Sequence, residues 1–247
     1  MGRIEVQRDL EYGYADLQRE EIDFDLASAV SQRSLFPQGT PLLSWRYRRL
    51  KRCIDIVCGL IMAAVSLPPC LVIAALIVLT SKGPVFYTET RIGQGRKPFR
   101  IWKFRSMTHH APWHSVARSD SSSGTLLQWR VHKPSRDPRV TRVGAILRSW
   151  SLDELPQILN VLRGDMSLIG PRPVTAVEVP LYGHLQHFYL AAVPGLSGLW
   201  QVSGRSDISF ANRSRLDANY VENWSIRKDI EILLRTVPAV LRRVGAR

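Results

Sequence analysis

The sequence predicts a mostly helical α/β protein. It should combine a re-entrant, broken membrane helix with a small cytoplasmic α/β domain that carries interfacial amphipathic helices. Three observations lead there. Ile56 to Leu79 runs 24 residues without a charge and has Pro68-Pro69 near its middle. Val85 to Phe104 reads as strand, turn, strand. The remainder is dominated by apolar residues at helical spacing. The expected division is residues 1–42 as a flexible N-terminal arm, 43–82 as a basic flank with the membrane helix, and 83–247 as the cytoplasmic domain.

The arm lacks a sustained apolar period, and its first 40 residues hold eight acids and four bases. The chain as a whole has 34 Lys+Arg against 21 Asp+Glu, net +13, so the entire positive excess follows Leu42. That balance implies an anionic partner: nucleic acid, an anionic membrane surface or phosphorylated substrates. A nucleic-acid tether would explain the charge but not the acidic pair, the Gly-Pro-Arg-Pro turn or the broken apolar run described below. Cys53, Cys58 and Cys70 all fall in one apolar stretch. They read as small hydrophobes, not as a disulfide framework or metal site. The polar, acidic start has no signal-peptide pattern.

The apolar run is flanked by bases on both sides: Arg46, Arg48, Arg49, Lys51 and Arg52 before it, and Lys82, Arg91, Arg96 and Lys97 after it. Positive residues mark the cytoplasmic side, so both ends are expected there. Each arm around Ser66-Leu67-Pro68-Pro69 has roughly 12 residues and reaches about 18 Å, short of a hydrocarbon core of about 30 Å. A helix that enters one leaflet and returns fits these lengths; a kinked transmembrane helix is the competing reading. Asp55 lies just inside the first arm, where an acid is costly. Arg52 or a base of the globular part is its expected partner.

Val85-Phe86-Tyr87 and Phe99 to Phe104 should form two short strands around the Arg91-Ile92-Gly93-Gln94-Gly95-Arg96 turn. Lys103 and Arg105 share a strand face that could meet phosphates or simply solvent. Residues 108–135, with His109, His110, His114 and His132, fit no metal spacing and read as a loop. A helix from about Ala145 to Trp150 should bring Arg139, Arg142 and Arg148 toward the acids that follow.

Those acids are Asp153 and Glu154 in Ser151-Leu152-Asp153-Glu154-Leu155-Pro156-Gln157. Leu155, Ile158, Leu159 and Leu162 recur at helical spacing. Ser151 and Glu154 have the form of a capping box, but Pro156 moves the expected helix start to Asp153, where a missing N–H does no harm. The helix dipole should then keep Asp153 ionised and attract phosphate. Read blandly, Asp153 is a cap and Glu154 a first-turn acid. Read chemically, an ionised carboxylate is a competent nucleophile toward a phosphoryl group. A second acid beside it can hold the divalent cation that neutralises a diphosphate. The Gly170-Pro171-Arg172-Pro173 turn reads as part of a phosphate-binding frame. The Gly-rich loop from Val193 to Arg205, with Gln201, could bring backbone N–H groups and Arg205 to a nucleotide. Residues 210–224 read as a helix. Ile226 to Val244 reads as an amphipathic helix, suited to an anionic membrane surface or to an ordinary terminal role.

From about Leu50 to Arg243 the chain resembles the small monotopic phosphoglycosyl transferases, or bacterial sugar transferases. Within that family it is similar to the exopolysaccharide-initiating undecaprenyl-phosphate galactose- or glucose-phosphotransferases. The matching pieces include Lys51-Arg52-x-x-Asp55, Pro84-Val85-Phe86-Tyr87, Lys103-Phe104-Arg105-Ser106-Met107 and Asp137-Pro138-Arg139-Val140-Thr141. They continue through Ser151 to Gln157, Gly164-Asp165-Met166-Ser167, Gly170 to Pro173, Pro194 to Gly198 and Trp200 to Arg205. One departure is visible: Leu67 stands between Ser66 and a doubled proline, where the family often has Ser directly before one proline.

The resemblance implies transfer of a hexose-1-phosphate from a UDP-hexose to undecaprenyl phosphate, with UMP released. It further implies Asp153 as nucleophile forming a covalent phospho-sugar intermediate and Glu154 as ligand to Mg2+. Arg172, with Arg148, Lys103 and Arg205, would hold phosphates. The implied setting is the cytoplasmic face of a bacterial inner membrane, with downstream glycosyltransferases as partners and, by analogy, a homodimer. An inactive scaffold of a polysaccharide assembly is the alternative.

Overall fold

The computed structural model describes residues 44–108, 137, 139–204 and 208–241. The arm, the His-bearing stretch, Arg205 and the basic residues Arg242, Arg243 and Arg247 lie outside the described residues.

Helix α1 spans Trp45–Thr80. The expected break is not a non-helical gap, because Pro68 and Pro69 lie inside a continuous helix. Two prolines remove two backbone donors, a change that a helix absorbs by bending rather than stopping. The Ser66 hydroxyl donates to Ala63 O at 3.3 Å just before them. Val65, Leu71, Val72 and Leu79 are 60 to 82% exposed, which is the surface of a membrane-associated helix rather than of a packed one.

Strands β1 (Phe86–Ile92) and β2 (Pro98–Phe104) form an antiparallel hairpin. Its turn is a short 3₁₀ segment, Gln94–Arg96, with Gly95 at φ 63. Helix α2 (Arg142–Ser149) follows, capped by Thr141, whose hydroxyl accepts from Gly144 N at 2.9 Å. It starts three residues earlier than expected because that cap lies upstream.

The acidic stretch does not open an α-helix. Leu152–Gln157 is a 3₁₀ turn, entered through Ser151 at φ 55, and helix α3 is only Ile158–Arg163. Ser151, at the N-cap position of this turn, makes no side-chain cap, and Asp153 lies inside the turn. Pro156, which has no N–H, fits the tighter winding. A 3₁₀ turn places residues three apart on one face. Leu152 and Leu155 accordingly pack with Ile73, Ile77, Phe104 and Leu147. Gly164, at φ 92, ends α3 by donating to Asn160 O and Val161 O. Asn160 is fully buried. It pins β2 by accepting from Trp102 N at 3.1 Å and donating to Arg100 O at 2.7 Å.

Strands β3 (Ser167–Ile169) and β4 (Gly195–Ser197) pair in parallel. Between them run a 3₁₀ stretch, Ala176–Leu185, and α4 (Gln186–Ala191). Helices α5 (Leu199–Val202), α6 (Phe210–Glu222) and α7 (Ile226–Leu241) complete the described chain. The main core joins Val161, Met166, Leu168, Tyr220, Val221, Trp224 and Ile232.

The start of α1 is fastened to this core by polar contacts. Asp55 accepts from Ser167 Oγ at 3.0 Å and Leu168 N at 2.9 Å. Arg52 is not its partner, since that guanidinium donates to Val161 O and Leu162 O at the end of α3. Lys51 instead reaches Asp229 of α7 at 2.6 Å. The hydrogen bonds to this buried carboxylate thus come from neutral donors, while the basic group acting on it is Lys51 rather than Arg52.

Candidate active site

A narrow cleft is lined by Arg91, Ile101, Lys103, Glu154, Gln157, Arg172, Pro173, Gly195, Leu196 and Gln201. The hairpin and the 3₁₀ turn form one wall, and the Gly170–Pro173 turn with the β4–α5 loop forms the other.

The acids occupy two environments. Asp153 is 8% exposed and Glu154 is half-buried. Burial pushes the Asp153 carboxyl above the usual carboxylate range, and the neighbouring Glu154 charge pushes the same way; Lys103 and Arg148 oppose them. This corrects the expectation that a helix dipole holds Asp153 low. No helix begins at that residue, so desolvation dominates. Glu154 is met by Lys103 Nζ at 2.7 Å.

The opposite wall is a backbone clasp. Gly170 N donates to Ser197 O at 2.9 Å, and Gly195 N donates to Pro171 O at 2.8 Å. A Cβ on Gly195 would come within 2.1 Å of Gly170 N. These glycines are therefore required so that two loops can touch, and the N–H groups of Gly170 and Gly195 hold the frame rather than a phosphate. Arg172 stacks over Trp200 at 4.9 Å. Burial lowers its pKa, with Glu154 acting the other way; a guanidinium keeps its charge regardless. Beneath the turn, Asp217 of α6 is buried and accepts from Tyr182 Oη at 2.8 Å. It also faces the Arg172 amide and Arg213, and burial raises its pKa to about 7.

The profile of the bacterial sugar transferases matches residues 46–243 of this chain. The chain is 42% identical over 198 residues to the exopolysaccharide production protein ExoY of Sinorhizobium fredii, covering 79% of this chain and 87% of that one. It is 39% identical over 225 residues to the UDP-glucose:undecaprenyl-phosphate glucose-1-phosphate transferase of Caulobacter vibrioides, covering 88% and 79%. Against the undecaprenyl-phosphate galactose phosphotransferase of Salmonella typhimurium it is 42% identical over 200 residues, 81% of this chain and 42% of that longer one. The chain is a bacterial sugar transferase.

In this bacterial sugar transferase the residues singled out from sequence separate into groups. Lys103, Glu154, Arg172, Pro173 and Gln201 meet in the cleft. Asp153 adjoins the cleft through Glu154, and the Arg148 charge acts on its carboxyl. Gly170 and Pro171 form the clasp. Arg105 is elsewhere: it is buried and donates to Ser81 O at 2.7 Å and Ser81 Oγ at 2.9 Å, at the end of α1. The strand ends at Phe104, so the alternation that placed Arg105 beside Lys103 no longer applies. Arg139 pairs with Asp137 at 2.7 Å and Arg142 is exposed. Arg205 lies outside the described residues.

Two polar residues of the cleft, Arg91 and Gln157, were missed from sequence. Arg91 was absorbed into the hairpin turn, whereas it sits on β1 between Glu89 and Glu178 and donates to Pro173 O at 3.4 Å. Gln157 was read as a polar spacer of an α-helix. The proline one residue before it was the available signal for a three-residue repeat, which would have placed Gln157 with Glu154.

Among the described residues no group of three or more His, Cys, Asp or Glu could hold a metal ion. The donor set on hand is the adjacent pair Asp153 and Glu154. That suits Mg2+, which commonly takes one or two carboxylates and completes its shell with substrate phosphates and water.

Proposed function

We propose that this chain is a phosphoglycosyl transferase that moves hexose-1-phosphate, galactose or glucose, from UDP-hexose to undecaprenyl phosphate and so initiates exopolysaccharide synthesis. The named activities of the relatives support the substrate classes. The observation that carries the reading is the acidic pair: Asp153 is desolvated, and the adjacent Glu154, bound to Lys103, lines one cleft with Arg172.

In the first step an Asp153 carboxylate oxygen attacks the β-phosphorus of the donor. The bond from that phosphorus to the bridging oxygen breaks, and UMP leaves with the electron pair. Asp153 is left as a mixed anhydride with the sugar phosphate. In the second step a phosphate oxygen of undecaprenyl phosphate attacks the same phosphorus and restores the carboxylate. Desolvation makes Asp153 a more basic nucleophile, while Lys103 and Arg148 offset the repulsion between two anions. Arg172, oriented by the clasp and by Trp200, holds the diphosphate. Glu154 would hold Mg2+, which when bound neutralises phosphate charge.

The site works at the cytoplasmic face of the inner membrane, with α1 re-entrant. Contacts at both ends of α1 support this topology: Arg52 binds α3 near the start and Arg105 binds Ser81 just past the end. A straight span would send those ends to opposite sides of a layer about 30 Å thick. Helix α7 lies in the interface, with Ile230, Leu233, Leu234 and Val237 between 39% and 68% exposed. A homodimer and downstream glycosyltransferases are the partners this role implies.

The test is donor-only incubation of the nanodisc-held protein with Mg2+ and a panel of UDP-hexoses, read by intact mass. A hexose-phosphate adduct with UMP release, absent in Asp153→Asn, is the expected result. Full turnover with lipid acceptor but no adduct would remove Asp153 as nucleophile, and release of UDP in place of UMP would make the chain a direct glycosyl transferase.

A further inference from the structure

Three buried polar atoms on residues that line the cleft lack a hydrogen-bond partner in the protein: Arg91 Nε, Gln157 Nε2 and Gln201 Oε1. Gln157 is the most enclosed of these side chains, at 2% exposure. Its position follows from the 3₁₀ winding. Glu154 and Gln157 are three residues apart and share the cleft face. Leu152 and Leu155 take the face against α1. A buried amide without a partner costs stability, and in native proteins such groups are kept where something outside the chain completes them.

The surroundings define what completes it. Lys103, Arg91 and Arg172 make the cleft a place for anions, and Gln157, whose Nε2 has no partner, lines it together with Glu154. Gln201 anchors its own amide by donating to Leu196 O at 3.2 Å, which leaves its Oε1 as an acceptor for a hydroxyl or N–H. A ligand rich in oxygen acceptors that also carries a hydroxyl satisfies all three atoms. We propose that Gln157 is a substrate-contacting residue whose Nε2 donates to an oxygen of the donor's sugar-phosphate portion, next to the acidic pair. This assignment rests on the phosphoglycosyl transferase reading and adds a recognition residue to it.

The experiment uses the full chain in nanodiscs and the variant Gln157→Met, which keeps side-chain length and removes the amide. Turnover of UDP-hexose, the thermal midpoint, and the midpoint shifts produced by UDP and by UDP-hexose are measured for both proteins. The expected result is a kcat/KM lower by roughly tenfold or more, with a midpoint equal to or above that of the wild type, because no contact within the protein is lost. Loss of the UDP-induced shift assigns the contact to a phosphate oxygen. Loss confined to UDP-hexose assigns it to a sugar hydroxyl. Unchanged kcat/KM overturns the proposal. So does a midpoint lower by several degrees, since that would reveal an internal partner. A wild type that neither turns over UDP-hexose nor shifts with UDP would sink the parent reading, and this one with it.

Discussion

Lys103 Nζ lies 2.7 Å from Glu154 Oε1, joining a strand residue to a turn residue 51 positions later. The pair does more than close the cleft wall. Lys103 also lowers the proton affinity of Asp153, against the push from burial and from Glu154. Lys103→Met should therefore raise the Asp153 pKa further. The acid limb of adduct formation should move to higher pH. Intact mass across a pH series with donor alone measures this, and an unmoved limb would confine Lys103 to phosphate binding.

In the wild type the same limb has a defined sign. Attack requires the carboxylate, so adduct formation should fall as pH drops through the Asp153 pKa, which burial places above the ordinary value near 4. A limb at or below pH 4 would mean that Asp153 is solvated when the donor is bound.

Arg105 should matter for stability and not for nucleotide affinity. It holds Ser81 at the end of α1 from a buried position. Arg105→Ala removes that clamp and should cost about 2 kcal/mol or more, read as a lower thermal midpoint in nanodiscs with an unaltered UDP-induced shift. A lost UDP shift at an unchanged midpoint would return Arg105 to the cleft.

Gly195→Ala tests the clasp. The new Cβ would stand 2.1 Å from Gly170 N and 2.4 Å from Ser197 O, so backbone must move. The cost should be about 1–3 kcal/mol, with donor binding weakened because Arg172 follows Gly170 and Pro171. Retained activity at wild-type stability would show that the turn is not held by the clasp.

Asp217 should give stability a pH slope. Its folded pKa is about 7, against an unfolded value near 4. Between those values the native chain keeps a proton that the unfolded chain releases, so stability falls as pH rises through that window. The contribution is at most about 1.4 kcal/mol per pH unit. In Asp217→Asn that part of the slope should vanish, which thermal melts between pH 4 and pH 8 would reveal. An identical slope in the variant would place the titrating group elsewhere.

The sequence determined what is local or compositional. It located the one uncharged run, the hairpin, the order of the later helices and the acidic pair, because apolar period, turn residues and charge are properties of neighbours along the chain. Ordered motifs placed the family. Tertiary structure decided what depends on neighbours in space. Asp153 has its raised proton affinity because packing removes water from it, not because of a helix end. Arg105 left the cleft because α1 offers buried carbonyl and hydroxyl oxygens where the strand stops. Asp55 found neutral donors on β3, and Arg91 and Gln157 reached the cleft only once the hairpin met the 3₁₀ turn. Charge and hydrogen-bonding capacity are written in each residue, whereas desolvation and partner choice arise only when distant segments exclude water together.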